Sequence, residues 1–377
     1  MSAGLLAAQR DELAGLAARG RLRALAPRSG VDFASNDYLG LAGSAALADA
    51  MRAALDRGVP VGSGGSRLLR GNHPEHGALE DEAAAYFGSE AAAFFSTGFA
   101  ANSALLATLP QRGDLILTDR LIHASSHEGI RLSRADHRRV PHNDIAAFAR
   151  AIASWRHNGG VGQVWIAVET LYSMDGDFAP LAQLSELALR EGAILLADEA
   201  HATGVCGPGG RGLVADLPCR DHVISLHTCG KALGVEGALL CGSRTMREFL
   251  VNHARGLIFS TAPSPLIAAV VRTALRIVAD GNELRDELQA RIAAAGALLG
   301  PLGAQCHGSP IMPLVLGDDL RTMAVAGRLQ AGGFDVRGIR PPTVPEGTSR
   351  LRIVITRNAG LDDIAALAAA LREAMAA

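Results

Sequence analysis

At 377 residues, with 49% hydrophobic and 20% charged side chains, the chain can bury a large core, and such lengths usually divide into one large domain and a smaller one. A formal net charge of −2 and the lack of any basic stripe give no electrostatic reason to expect nucleic acid or an anionic membrane as partner. Five cysteines (Cys206, Cys219, Cys229, Cys241 and Cys306) are an odd number without CxxC spacing, so neither a disulfide framework nor a zinc site is expected, and the expected compartment is a reducing cytoplasm.

In chain order, the first 25 residues mix acids and bases too early for a secretory signal and read as an amphipathic helix with its apolar face docked on the body. Continuous apolar runs bounded by turn residues follow at 91–96, 114–119, 163–170, 193–200, 222–228 and 237–243, with helical stretches such as 77–88 and 181–192 between them. This alternation predicts an α/β fold with a mostly parallel central sheet and helices on both faces. After about residue 265 the pattern changes to a long helical region (266–298), an apolar run (310–317), a helix (319–331), a strand within 350–356 and a final helix from 361. The expected organisation is an N-terminal helix and arm over 1–42, a large domain over 43–268 and a smaller α+β domain over 269–377. No uninterrupted apolar run reaches the roughly 18 to 20 residues of a membrane helix.

In open sheets of this type, ligands sit beyond the carboxyl ends of the strands. Four such ends carry chemistry. "STGFAAN" places Gly98 and Phe99 between a strand and a helix, where backbone N–H groups favour phosphate. "VETLYSMDGD" holds Glu169 and Ser173, "AILLADEAHATG" holds Asp198, Glu199 and His201, and "SLHTCGKALGVEG" places Lys231 among small residues. Each has a plainer reading as a cap, a turn or a surface lysine. Together they supply what pyridoxal phosphate requires: a lysine to hold it as a Schiff base, an anion at its ring nitrogen and a phosphate site. His123, His127, His137 and His142 crowd one region, but no carboxylate or cysteine in the sequence pattern completes a ligand set, so no metal is expected. Arg131, Arg134, Arg138 and Arg139 read as a solvated face or, alternatively, as a landing site for an acidic acyl carrier protein.

Eight segments, "NDYLGL", "GSGGSRLLRGNHPEHGALEDEAA", "STGFAAN", "DRLIHAS", "YSMDGDFAPL", "DEAHATGVCGPGGRG", "GKALGVEGA" and "IRPPTVPEGTSRLRI", resemble the α-oxoamine synthases from about residue 30 to residue 357. The resemblance implies a fold-type I pyridoxal-phosphate transferase, active as a homodimer with sites shared between subunits. It implies Lys231 as the Schiff-base lysine, Asp198 as partner of the pyridine nitrogen and His123 as the residue stacked on the ring. Ser173 and His201 would bond the phenolic oxygen, and Gly98, Phe99 and Thr228 would contact the cofactor, with Ser260 and Thr261 reaching the other subunit's phosphate. Substrate would meet Asn36, Arg340, Thr343 and one N-terminal arginine, Arg23 in preference to Arg21. The implied reaction is decarboxylative condensation of L-alanine with a pimeloyl thioester, the "IRPPTVPEGT" segment being the most discriminating. The alternatives are a sister enzyme using glycine and a non-catalytic partner subunit.

Overall fold

A computed structural model describes residues 5–376. The chain runs through α1 (Ala7–Ala18), β1 (Val31–Asp32), α2 (Ala45–Asp56) and α3 (Pro74–Phe87) into β2 (Ala91–Phe95). Helices and strands then alternate: α4 (Gly98–Thr108), β3 (Leu115–Asp119), α5 (Ala124–Leu132), β4 (Asp136–Val140), α6 (Ile145–His157), β5 (Val164–Glu169), α7 (Leu181–Glu191) and β6 (Ile194–Asp198). Strands β7 (Val223–Thr228) and β8 (Ala238–Gly242) precede helices α8 (Arg244–His253), α9 (Arg255–Ile258), α10 (Pro265–Asp280) and α11 (Asn282–Leu299). Last come β9 (Ile311–Gly317), α12 (Asp319–Ala331), β10 (Phe334–Asp335), β11 (Arg337–Ile339), β12 (Ser349–Val354) and α13 (Leu361–Ala376).

The chain divides into two units, one of residues 36–173 with 177–286, the other of the N-terminal segment through Ser35, residues 174–176 and Glu287 onward. The first unit holds a seven-stranded sheet in the order β2-β8-β7-β6-β5-β3-β4, parallel throughout except for β8. Its strands are apolar on both faces because both are covered. Ile116, Trp165, Leu196 and Leu240 pack with α4 residues Leu105 and Leu106 on one side, while Leu115, Leu117, Val164, Ile166 and Leu195 pack with Phe148, Ile152 and Leu184 on the other. Helix starts are fixed by short polar side chains: Thr97, Asp144 and Ser243 accept the N–H of Ala100, Ala147 and Met246. The second unit contains an antiparallel sheet, β11-β12-β9, and the short parallel pair β1–β10.

Two details differ from the sequence expectation. Helix α1 buries none of its residues, and Leu13 is half exposed, so its apolar side is not docked as expected. The long helical region breaks at Gly281 into α10 and α11. Among the described residues, no helix is long and apolar enough to cross a membrane.

Candidate active site

Parallel strand direction brings the loops after β2, β3, β5, β6 and β7 to one edge of the sheet, and a pocket there is lined by Gly98, Phe99, Asn102, His123, Glu169, Asp198, His201, Thr228 and Lys231. Asp198, the last residue of β6, is buried. Its Oδ2 accepts the Asn102 amide at 2.7 Å and its Oδ1 accepts the Ala200 N–H at 2.9 Å. Asn102, one turn into α4, also donates to Ser125 Oγ at 3.1 Å, and that hydroxyl lies 2.8 Å from His123 Nδ1. The same ring nitrogen accepts the Ser125 N–H at 3.2 Å. A nitrogen that accepts a backbone N–H bears no proton, so the neutral His123 ring carries its proton on Nε2. Burial depresses the His123 pKa, and the charge of Lys231 adds to this against the opposing pull of Asp198. One hydrogen-bonded chain therefore joins His123 to Asp198.

Glu169 ends β5 directly beside Asp198 in the strand register. Its Oε2 accepts the Ser173 N–H at 3.0 Å, whereas its buried Oε1 has no hydrogen-bond partner among the described residues. Burial and then the Asp198 charge push its carboxyl up to about 8, so the group is protonated at neutral pH. His201 Nδ1 lies 2.5 Å from the Tyr38 hydroxyl, which also lies 3.3 Å from Asn36 Oδ1. Tyr38, Asn102 and Ser125 were not singled out as site residues from the sequence, and Glu169 was named only as a strand-end carboxylate without a role. Asn102 lies within α4, Ser125 within α5 and Tyr38 in a turn, so none of the three stands at a strand end, where the sequence directs attention.

Lys231 is the chain's only lysine; every other Lys or Arg position is arginine. It occupies the loop between antiparallel β7 and β8, which is closed by Cys229 N–H to Gly237 O at 2.8 Å and Val235 N–H to Cys229 O at 2.9 Å. The flanking glycines are required by close approach. At Gly237 (φ +110°) a Cβ would stand 2.4 Å from the Phe94 ring, and at Gly234 (φ +68°) it would stand 2.5 Å from the Ala42 nitrogen. The loop holds the lysine at the pocket while its small residues leave the pocket open.

The remaining expected residues fall elsewhere. Ser260 and Thr261 are exposed and do not line this pocket within their own chain. Arg23, Arg340 and Thr343 belong to the other unit, where Arg23 Nη2 donates to Thr343 Oγ1 at 3.1 Å. Arg340 is buried, and burial followed by the nearby Arg23 charge lowers its pKa. Arg21 is instead committed to Asp319 at 2.5 Å and to Glu346 at 2.6 and 2.8 Å.

The pocket's groups fit pyridoxal phosphate: an amine, a fixed carboxylate, a helix N-terminus at Gly98, and in Glu169 Oε1 a buried polar atom left unpartnered among the described residues.

Residues 28–368 match the family model of class I and II aminotransferases. An 8-amino-7-oxononanoate synthase from Herminiimonas arsenicoxydans is 42% identical over 356 residues, covering 92% of this chain and 90% of the relative. A serine palmitoyltransferase variant from S. paucimobilis, solved with a bound pyridoxal-phosphate–myriocin adduct, superposes with a TM-score of 0.89 at 25% identity, covering 99% of this chain and 98% of its own. The 8-amino-7-oxononanoate synthase from Francisella tularensis gives 0.78 at 28% identity, covering 92% and 97%.

Asn102→Ala removes the side-chain donor to Asp198. Loss of a hydrogen bond to a charged group costs about 1.5–3 kcal/mol, so cofactor affinity should fall about 10- to 100-fold in an equilibrium titration of the folded apoprotein. Unchanged affinity would show that Asp198 needs no such support.

Proposed function

The chain belongs to the class I and II aminotransferase family and, within it, to the pyridoxal-phosphate acyltransferases of the 8-amino-7-oxononanoate synthase type, and on that premise we propose that it condenses L-alanine with a pimeloyl thioester. The products are 8-amino-7-oxononanoate, carbon dioxide and the free thiol, a step of biotin biosynthesis. A bond forms between the alanine Cα and the acyl carbonyl carbon, the thiol leaves that carbon, and the alanine carboxylate leaves as carbon dioxide. The observation that carries this reading is the meeting of Lys231, Asp198 and His123, from three strand ends, in one pocket.

Bound there, pyridoxal phosphate would supply the electron sink for negative charge at Cα. Lys231 Nζ would tether the cofactor and, as a neutral amine, take the Cα proton and return it. Asp198, fixed through both oxygens, would hold the proton on the pyridine nitrogen. His123 would lie against the ring with Nε2–H available to a substrate oxygen. Ser173 and His201 would bond the phenolic oxygen, and Gly98, Phe99 and Thr228 would take the phosphate side. Exposed Ser260 and Thr261 would complete the partner subunit's phosphate site in a homodimer.

Arg340 would grip the alanine carboxylate, helped by Arg23, Thr343 and Asn36. Its guanidinium is buried, and no carboxylate among the described residues forms a salt bridge with it, a costly state that a substrate carboxylate relieves. The thioester carrier is coenzyme A or an acyl carrier protein. Exposed Arg138 and Arg139 on β4 offer an acidic carrier a basic surface.

A panel of alanine and glycine against acyl thioesters on both carriers, with mass detection, tests the substrates. Alanine with the pimeloyl thioester should give 8-amino-7-oxononanoate as the dominant product. Preferred turnover of glycine with a short acyl group would replace this reading with that of a sister enzyme. Arg340→Lys keeps the charge but loses the two-pronged grip, so the alanine KM should rise and Cα deprotonation should slow, each about tenfold, with the thioester KM nearly unchanged. Impaired thioester binding with normal alanine binding would assign Arg340 to the acyl group.

A further inference from the structure

His142 lies outside the pocket, yet it touches the root of the loop that carries His123 into it and the loop that follows Glu169. Its Nδ1 is 2.9 and 3.0 Å from the two oxygens of Asp119, and its Nε2 is 2.7 Å from Asp177 Oδ2. Carboxylate oxygens only accept, so both ring nitrogens donate and the ring is an imidazolium held by charge-assisted bonds at both ends.

Each carboxylate shapes one loop. Asp119 ends β3 fully buried; its Oδ1 accepts the Leu121 N–H at 2.8 Å and its carbonyl accepts the Ile122 N–H at 3.2 Å, forming the turn that delivers His123. Asp177 accepts the Tyr172 N–H at its carbonyl at 2.9 Å, and Leu171 pairs with Phe178, closing the loop that carries Ser173. Asn143 reinforces the junction from a left-handed backbone (φ +54°), which its side chain tolerates better than most. Its N–H donates to Asp119 Oδ2 at 2.8 Å, and its amide donates to Asp177 Oδ2 at 3.0 Å and to the Phe178 carbonyl at 3.1 Å. The Tyr172 ring meets His142 edge-on at 4.5 Å.

We propose that His142 is a positioning residue that staples the His123 loop to the Ser173 loop, so that the two sides of the cofactor pocket are held in one register. The proposal rests on the cofactor role given above to His123 and Ser173. The sequence grouped His142 with three other histidines and saw no carboxylate near them; the fold supplies two, from the ends of different strands.

The titratable groups facing His142 are Asp119 from β3 and Asp177 and Tyr172 from the loop after β5. Burial by itself depresses the imidazole, and its bonds to the two aspartates outweigh that and carry it up to about 9. A folded pKa raised above the unfolded value of about 6.5 means the staple contributes fully below pH 6.5 and is lost as pH rises through about 9.

The test uses His142→Gln, with Asp177→Asn, which cuts the staple at one end only, as the milder second variant. In cofactor-free protein, amide hydrogen exchange in residues 119–123 and 170–178 should rise together in both variants while exchange in the sheet core stays near wild type. Cofactor affinity should fall about tenfold, on the scale of one lost charge-assisted bond. The melting-temperature advantage of wild type over His142→Gln should shrink between pH 6.5 and pH values above 9. Loosening of one loop alone, of neither, or a melting gap that ignores pH would overturn the staple. Coupled loosening in a protein whose wild type binds no pyridoxal phosphate would overturn the cofactor reading instead, since the exchange measurement does not depend on it.

Discussion

The buried carboxylate of Asp198 is the interaction around which the site is arranged. A carboxylate removed from water must be compensated, and here an amide from α4 and a backbone N–H each occupy one oxygen. Neither donor carries a full charge. The neighbouring strand places Glu169 in direct register with it, and two adjacent buried acids cannot both ionise cheaply, so Glu169 keeps its proton. Glu169 thus faces the pocket as a neutral acid beside Asp198. A protonated pyridine nitrogen is the kind of partner the Asp198 carboxylate lacks.

Strand direction converts that local arrangement into a site. Because β3, β5, β6 and β7 are parallel, with β2 aligned the same way, each ends at the same edge, and Gly98, His123, Glu169, Asp198 and Lys231 meet in one pocket although more than 130 residues separate the first from the last. Strand β8 is the exception with a purpose. Running antiparallel to β7, it needs only a short connection, and that loop keeps Lys231 close to the strand end instead of sending the chain away through a helix. Arginine fills every other Lys or Arg position, so the loop carries the single side-chain amine available for covalent attachment.

Much of this was legible in the sequence because it depended on local pattern. The apolar runs at 114–119 and 193–200 became β3 and β6 within a residue at their starts, since strands buried on both faces leave an unbroken hydrophobic signature. Strand β4 was not read. Its sequence, "DHRRV", exposes Asp136, Arg138 and Arg139 at the sheet edge, where positive charge discourages further pairing and mimics a solvated loop. The site divides the same way. Lys231 and Asp198 stand at strand ends and announce themselves. Asn102, Ser125 and Tyr38 act through bonds to residues far away in sequence, such as Tyr38 to His201, which no spacing rule reveals. The different surroundings of Arg21, paired with Asp319 and Glu346, and of Arg23, which lies with Thr343 and near Arg340, are likewise long-range contacts that the spacing of two neighbouring arginines does not reveal.

The central claim is that this one amine holds the cofactor. It is tested most directly by reducing purified holoenzyme with borohydride and measuring the intact mass and the labelled peptide. One cofactor should become fixed per chain, on the peptide containing Lys231, and Lys231→Ala should take up none under the same treatment. A wild-type chain that retains no added mass, or a Lys231→Ala chain that retains it, would contradict the account.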